Sequence, residues 1–253
     1  MISIETLEKL SKQYQMGIFP NIIREYFQHV FLSELYKSPG AEKLLFKGGT
    51  ALHIIYNSPR FSEDLDFSLF AVAQNKIKSF IEELFMHVLS EMASADIKVE
   101  IGDKIGVTSG GYFAVATFRL FEYPPVSVAI NVSSRNSKHI AGEVDNVTND
   151  FAPTYTIIHL PQNDLVEEKI FGALLERKKP RDFYDLYFMM RKGMISNEQK
   201  KRLAGAKDGI LADAKKINFR RELGIFLPMD QHQIIKDFSA ILERELNRQL
   251  SGV

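Results

Sequence analysis

No cysteine occurs in the chain, which excludes disulfides, thiolate zinc sites and cysteine nucleophiles together. The six histidines (His29, His53, His87, His139, His159 and His232) are scattered and none is paired at i,i+4, so a histidine-built transition-metal site is not expected. No stretch approaches the roughly 20 consecutive apolar residues needed to span a bilayer. The N-terminal segment carries acid from Glu5 onward and no long apolar block, so a secretory leader and a membrane anchor are not expected, and the expected location is cytoplasmic. Net charge is absent as well, with 32 basic residues balanced by 32 acidic ones. A protein that coats nucleic acid electrostatically would be strongly basic, so any such contact must come from a local patch. Internal repeats, low-complexity tracts and long linkers are missing too. What remains is an ordinary globular composition, 45% hydrophobic and 25% charged over 253 residues, long enough for one large domain or two small ones.

The densest chemical information lies in Lys47-Gly48-Gly49-Thr50 and, after thirteen intervening residues, Asp64-Leu65-Asp66. Leu44-Leu45-Phe46 is a short apolar run of the kind that forms a buried strand. Two glycines then permit backbone angles and close approaches that other residues do not, and a helix-compatible segment from Thr50 to Tyr56 follows. A strand–Gly-Gly–helix junction presents unpaired backbone N–H groups to an anion. The Thr50 hydroxyl could cap that helix or touch a phosphate oxygen. Asp64 and Asp66, at i and i+2, share one face if the segment is a strand. Paired carboxylates repel unless a cation lies between them, and Mg²⁺ or Mn²⁺ completed by water and substrate phosphates suits such a pair.

Elsewhere, Ser3 to Gln15 reads as a first helix with Gly17 just beyond it, and Pro20 to Phe31 as a second that ends at Ser38-Pro39-Gly40. A third carries Ile77, Phe80, Ile81, Leu84, Phe85, Val88 and Leu89 on one stripe. Ile97–Ile101, Tyr112–Phe121 and Val126–Ser133 read as strands. After Pro161 the texture is helical to the end. The expectation is an α+β half over residues 1–160 and a helical half over 161–253, packed as one body with the active site between them.

The helical half has its own cluster. Asp164 and Glu167 resemble a capping box. Lys169 is followed by the small residues Gly172 and Ala173 on its own face, and Pro180 suits the first turn of the next helix, which carries Arg181, Asp182 and Asp185 beside a core stripe of Phe183, Leu186, Tyr187 and Met190. Spacing alone predicts an i,i+4 ion pair between Arg181 and Asp185. Arg177-Lys178-Lys179-Pro180-Arg181 is a local basic run, by default a solvated helix end.

The string FKGGTALHIIYNSPRFSEDLDFSL from Phe46 to Leu69 resembles the signature of the polymerase-β-like nucleotidyltransferases, and more narrowly the AbiEii/AbiGii toxin branch, with its RFSxDLDF-type element. EEKIFGALLERKKPRDFYDLYFM resembles the second signature of that branch. The resemblance covers both halves of the chain in the right order. It implies a nucleotidyltransferase-fold mixed sheet flanked by helices, then a helical half that closes the nucleotide cleft. It implies nucleotide contacts from Lys47, Gly48, Gly49, Thr50, Arg60, Ser62, Lys169, Arg181, Asp182 and Asp185. Asp64 and Asp66 would hold the metal, and with Lys169 would form the catalytic set. Lys47, Arg60 and Lys169 would offset the charge that develops on the phosphates. The implied activity is Mg²⁺-dependent transfer of a nucleoside monophosphate from a nucleoside triphosphate to an acceptor hydroxyl. The acceptor implied is RNA, transfer RNA included, and the partner a cognate antitoxin. One position departs from the pattern: the family carries a third carboxylate two residues before an Asn on a later strand, where this chain has Ala129 before Asn131. Glu100 is the sequence's other candidate for that role. Two alternatives therefore stand beside the enzyme: a catalytically impaired nucleotide-binding protein of the same fold, and a small-molecule nucleotidyltransferase.

Overall fold

The computed structural model describes residues 2–95, 97–102, 105–134 and 140–251; His139 lies outside them. The chain divides into two compact units, one of residues 1–57 and 61–160, the other of residues 58–60 and 161–253. The short Ser58–Arg60 segment thus belongs with the C-terminal unit. The fold is α+β.

The first unit is built on one mixed sheet. Its strands are β1 (Leu44–Lys47), β2 (Leu65–Leu69), β3 (Lys98–Ile101), β4 (Gly106–Thr108), β5 (Gly111–Arg119), β6 (Val126–Ser134), β7 (Glu143–Val147) and β8 (Tyr155–His159). They lie in the order β3-β5-β6-β2-β1-β8-β7, with β4 paired to β5. β1 and β2 are antiparallel, and β2 and β6 run parallel with Asp66 opposite Asn131. Along β6, Val126, Val128, Ile130 and Val132 are buried, while Ser127 is exposed and Ala129, Asn131 and Ser133 are half-buried. That is the alternation a sheet imposes when one face meets the core, and it places Ala129 and Asn131 on the face expected from the sequence.

Three long helices accompany the sheet: α1 (Ile4–Gln13), α2 (Ile23–Leu35) and α4 (Ile77–Ser94). Ser3 caps α1 by accepting from the Thr6 N–H at 3.1 Å. Phe27 of α2 stacks on Phe118 of β5 with ring centroids 4.4 Å apart, and Phe31 meets Phe85 of α4 edge-on. These aromatic contacts, with Leu32, Leu44, Phe67 and Ile81, form the main core. The fourth helix, α3 (Gly48–Ile54), starts two residues earlier than the sequence suggests, because both glycines are taken into its first turn. The sequence pattern does not announce β4, β7 or β8. Four of the five β7 residues are exposed, so that edge strand carries no core alternation to read.

The second unit is helical: α5 (Gln162–Lys169), a π-turn over Ile170–Leu174, α6 (Leu175–Arg177), α7 (Pro180–Arg191), α8 (Asn197–Ala214), α9 (Phe219–Leu223), α10 (His232–Lys236) and α11 (Phe238–Leu250). Phe183, Phe219 and Phe238 pack together at its centre. The expected capping box at Asp164 and Glu167 is not formed: α5 starts at Gln162 after Pro161, with no side-chain cap, and Glu167 instead pairs with Arg202 at 2.8 Å. The Asp164 position is already inside the first turn, so its side chain cannot serve as the N-cap. No helix among the described residues is long and apolar enough to cross a membrane.

Candidate active site

The site in the first unit is assembled where β1, β2 and β6 lie side by side. Lys47 is opposite Asp66 across the antiparallel pair, and Asp66 is opposite Asn131 across the parallel one. Residues directly opposite in neighbouring strands share a face, so Lys47, Asp66 and Asn131 form a row across three strands. The Asn131 Nδ2 donates to Asp66 Oδ1 at 3.1 Å. Lys47 is buried, and its Nζ donates to Ser133 Oγ at 3.0 Å. The Ser133 hydroxyl in turn donates to the Phe67 carbonyl at 3.2 Å. Sequence places Ser133 only on the right face of β6. Its link to Lys47 appears once the strands are ordered.

Gly48 has φ of +87°, and a Cβ there would collide with Asp66 Oδ2 and stand 2.9 Å from the Asp66 Cβ and Cγ. Glycine is therefore required twice over, by backbone angle and by the carboxylate that lies against it. Thr50 is fully buried, and its hydroxyl donates to the Asp64 carbonyl. That corrects the expectation of a helix cap: the hydroxyl bonds to the backbone of the first aspartate, and α3 has no side-chain cap. The segment before Asp64 is held from behind by Gln28 of α2, whose Nε2 donates to the carbonyls of Ser62 and Glu63 at 3.0 and 3.1 Å. Arg24 adds an ion pair to Glu63 at 3.3 Å. Ser62 thus enters through its main chain. Sequence reasoning misses the role of Gln28, although a glutamine buried on an apolar helix face is a signal, since such a group needs partners.

Glu100 does not complete the carboxylate set. It stands on edge strand β3, its side chain is 70% exposed, and it faces Arg119 at 3.7 Å. The strand order puts β3 three positions from β2, roughly 14 Å across the sheet at ordinary strand spacing. Ala129 sits on β6 opposite Val115 and offers no ligand atom. Among the described residues no group of three His, Cys, Asp or Glu side chains could hold a metal ion.

The second unit brings Arg60, Lys169 and Asp185 together. Arg60 clasps the carboxylate with Nε to Oδ1 at 2.9 Å and Nη2 to Oδ2 at 3.1 Å, while Lys169 Nζ reaches Oδ2 at 2.7 Å. Asp185 is fully buried and Arg60 nearly so. Burial alone would raise the Asp185 pKa, but the charges of Arg60 and Lys169 outweigh it and hold the carboxyl below its ordinary range. Two cations on one carboxylate leave the trio with one net positive charge. The i,i+4 pair expected between Arg181 and Asp185 is not made, because Arg60 and Lys169 occupy the carboxylate. Arg181 is half-buried and has no ion-pair partner among the described residues. Asp182 is buried and acts on the helix itself: it accepts from the Lys179 N–H at 3.3 Å and pairs with Arg177 at 2.6 Å. As the third residue of α7, Asp182 points its acid back at the unpaired N-terminal amides. Lys178 is also engaged, with Asp213 at 2.8 Å, so two of the four cations of the basic run are paired locally.

A mixed sheet with a glycine turn against an Asp-x-Asp strand defines the nucleotidyltransferase fold. Two solved structures from Helicobacter pylori share it. One is described as a candidate nucleotidyltransferase, with a TM-score of 0.59, 17% identity, and coverage of 91% of this chain and 97% of that one. The other is the protein JHP933, with a TM-score of 0.61, 18% identity, and coverage of 92% and 96%. No curated protein matches the chain in sequence. The family model for the AbiEii nucleotidyl transferase toxin of type IV toxin–antitoxin systems matches residues 30–250, and the chain belongs to that family.

Proposed function

We propose that the protein is a Mg²⁺-dependent nucleotidyltransferase that moves a nucleoside monophosphate from a nucleoside triphosphate to a hydroxyl of RNA, transfer RNA being the first candidate, and that it acts as the toxin of a toxin–antitoxin pair with a cognate antitoxin as its protein partner. The observation that carries this reading is the row Lys47–Asp66–Asn131 beside Gly48. It sets a lysine, a carboxylate and a glycine backbone within one small patch of sheet.

The donor set fits Mg²⁺. Asp64 and Asp66 would supply two carboxylates from positions two apart, Asn131 holds Asp66 by one oxygen, and water and phosphate oxygens suit the remaining positions of a hard octahedral ion. When bound, the metal would offset charge on the reacting phosphates. The chain's own contribution is positional. Gly48 and Gly49 offer main-chain N–H groups to phosphate oxygens, with no side chain in the way. Lys47, fixed by Ser133, supplies a positive charge at the end of β1. By the same reading Lys169 and Arg60 neutralise phosphate charge, with Asp185 orienting both, and Arg181 supplies a further cation. Such fixed charges stabilise a phosphoryl transition state without reorganising at the moment of reaction.

Ala129 favours a second reading, a nucleotide-binding protein with impaired transfer, because no third carboxylate stands on that face of β6. Calorimetric titration with Mg²⁺ and each nucleoside triphosphate, on wild type and on Asp64→Asn and Asp66→Asn, tests the site. Binding lost in both variants supports it, and unchanged affinity in both makes the aspartates structural. Incubation with labelled nucleoside triphosphates and total RNA then separates the two readings: label in RNA supports the transferase, and binding without transfer supports the impaired protein.

A further inference from the structure

The zero net charge of the chain conceals a division. The first unit carries 13 basic and 18 acidic residues, net −5, and the second 19 basic and 14 acidic, net +5, which together account for the 32 of each sign. Within the second unit the positive charge is unevenly spent. Arg177, Lys178, Arg202 and Arg248 are each paired with an acid. Three of the unpaired cations stand around a groove of about 540 Å³ formed by the end of α8, α9, and the α10–α11 junction. Lys215, Arg220 and Lys236 line it from three different elements, are exposed, and have no ion-pair partner among the described residues. Lys216 also lines it, shared with Asp213 at 3.1 Å. Asp237 is the one acid among the lining residues. The floor is rigid, since Phe219 and Phe238 are buried with ring centroids 4.6 Å apart.

We propose that this groove is a docking site for the phosphodiester backbone of an RNA strand. The inference rests on the reading of RNA as acceptor and adds where the second unit would hold it. Exposed, hydrated cations spread over three elements lack the convergent buried donors that select a single small phosphate. They suit a polyanion whose charges are spaced along a chain and whose bound counterions are released on contact. A site made of lysine and arginine without base-reading geometry holds RNA by its backbone, so affinity should depend on salt and hardly on sequence.

The experiment measures binding of a short fluorescent single-stranded RNA by anisotropy across a salt series, without nucleotide or Mg²⁺. The triphosphate chemistry is thereby kept out of the readout: failure of the proposed transfer leaves this assay intact, and failure of this assay leaves the calorimetric titrations intact. The triple variant Lys215→Ala/Arg220→Ala/Lys236→Ala should bind RNA about 10–100-fold more weakly, with the slope of log affinity against log salt shallower by about 2. Lys192→Ala/Lys201→Ala/Lys207→Ala removes equal charge from the same unit outside the groove and should bind nearly as wild type. All six side chains are at or near the surface, and thermal melting confirms that both variants fold. Equal loss in the two triple variants, or an unchanged salt slope in the first, overturns the proposal. So does competition by poly-glutamate as effective as by RNA of equal charge, which would point to an acidic protein partner.

Discussion

The Asp66 carboxylate lies directly against the Gly48 main chain, in the space a side chain at position 48 would need. The glycine motif and the Asp-x-Asp motif, separate signals in the sequence, are therefore one interlocked unit, joined across the β1–β2 pair. Gly48→Ala should break it. The left-handed backbone at φ +87° costs a non-glycine residue about 1–2 kcal/mol, and the collision with Asp66 adds to that. Urea denaturation should show the loss of stability, and titration with Mg²⁺ and nucleoside triphosphate should show weakened binding beyond what the stability change explains. Full binding by a stable Gly48→Ala protein would mean that Asp66 can stand elsewhere and still serve.

Ala129 bears on catalysis in the same row of strands. It faces the side of the sheet that carries Asn131 and Asp66, one strand from β2. With Glu100 far away on the β3 edge, position 129 is where a third carboxylate would have to come from. Ala129→Asp should raise transfer of labelled nucleotide to RNA, with little change in triphosphate affinity. Robust wild-type transfer that the substitution lowers would show that two carboxylates suffice and that an added charge there only repels.

How much of this can be read from the sequence depends on how local the information is. Strand β6 is legible because its valines and isoleucine alternate with small or polar residues from Val126 to Ser133. β7 is not, since an exposed edge strand has no buried face to impose a period. The glycine–aspartate unit can be found because its residues lie close together in the chain. The Arg60–Asp185 pair spans 125 positions, and nothing in local spacing prefers Arg60 over Arg181 as the partner of that carboxylate. Thr50 and Asp182 have residue types suited to phosphate or metal chemistry, and the bonds each makes to nearby backbone appear only in the geometry.

Glu25 provides a pH test of the first unit. This buried glutamate on α2 accepts from His53 Nε2 at 2.9 Å, with His29 Nε2 at 3.8 Å from the same oxygen. Burial by itself would raise its pKa, but the charge and hydrogen bond of His53, with His29 close by, prevail and bring the carboxyl down from 4.5 to about 2. A depressed acid contributes stability that is present above its unfolded pKa and lost as pH falls through its folded one. That contribution, on the order of 3 kcal/mol, should be full above pH 4.5 and fade toward pH 2. Glu25→Gln removes it, so the stability gap between wild type and variant, measured by denaturant titration at several pH values, should close across that window. A gap independent of pH from about 6 down to about 2 would show that the carboxylate charge contributes nothing.

Asp185 is the corresponding test of the second unit, and its outcome decides between the alternative ion-pair partners of that carboxylate. Asp185→Asn leaves Arg60 and Lys169 buried around a neutral amide, and an uncompensated buried charge costs about 3–5 kcal/mol. Because Arg60 and Lys169 hold the native carboxyl below the ordinary aspartate range, its contribution should persist above the usual aspartate pKa and disappear only as pH falls below it. Arg181→Ala should change stability by less than about 0.5 kcal/mol, since Arg181 is not the ion-pair partner of Asp185. Denaturant unfolding of both variants near neutral pH is the measurement. A large loss in Arg181→Ala, or a small one in Asp185→Asn, would return Asp185 to the i,i+4 pair that its spacing suggests, and Asp185 would no longer be the group that orients Arg60 and Lys169.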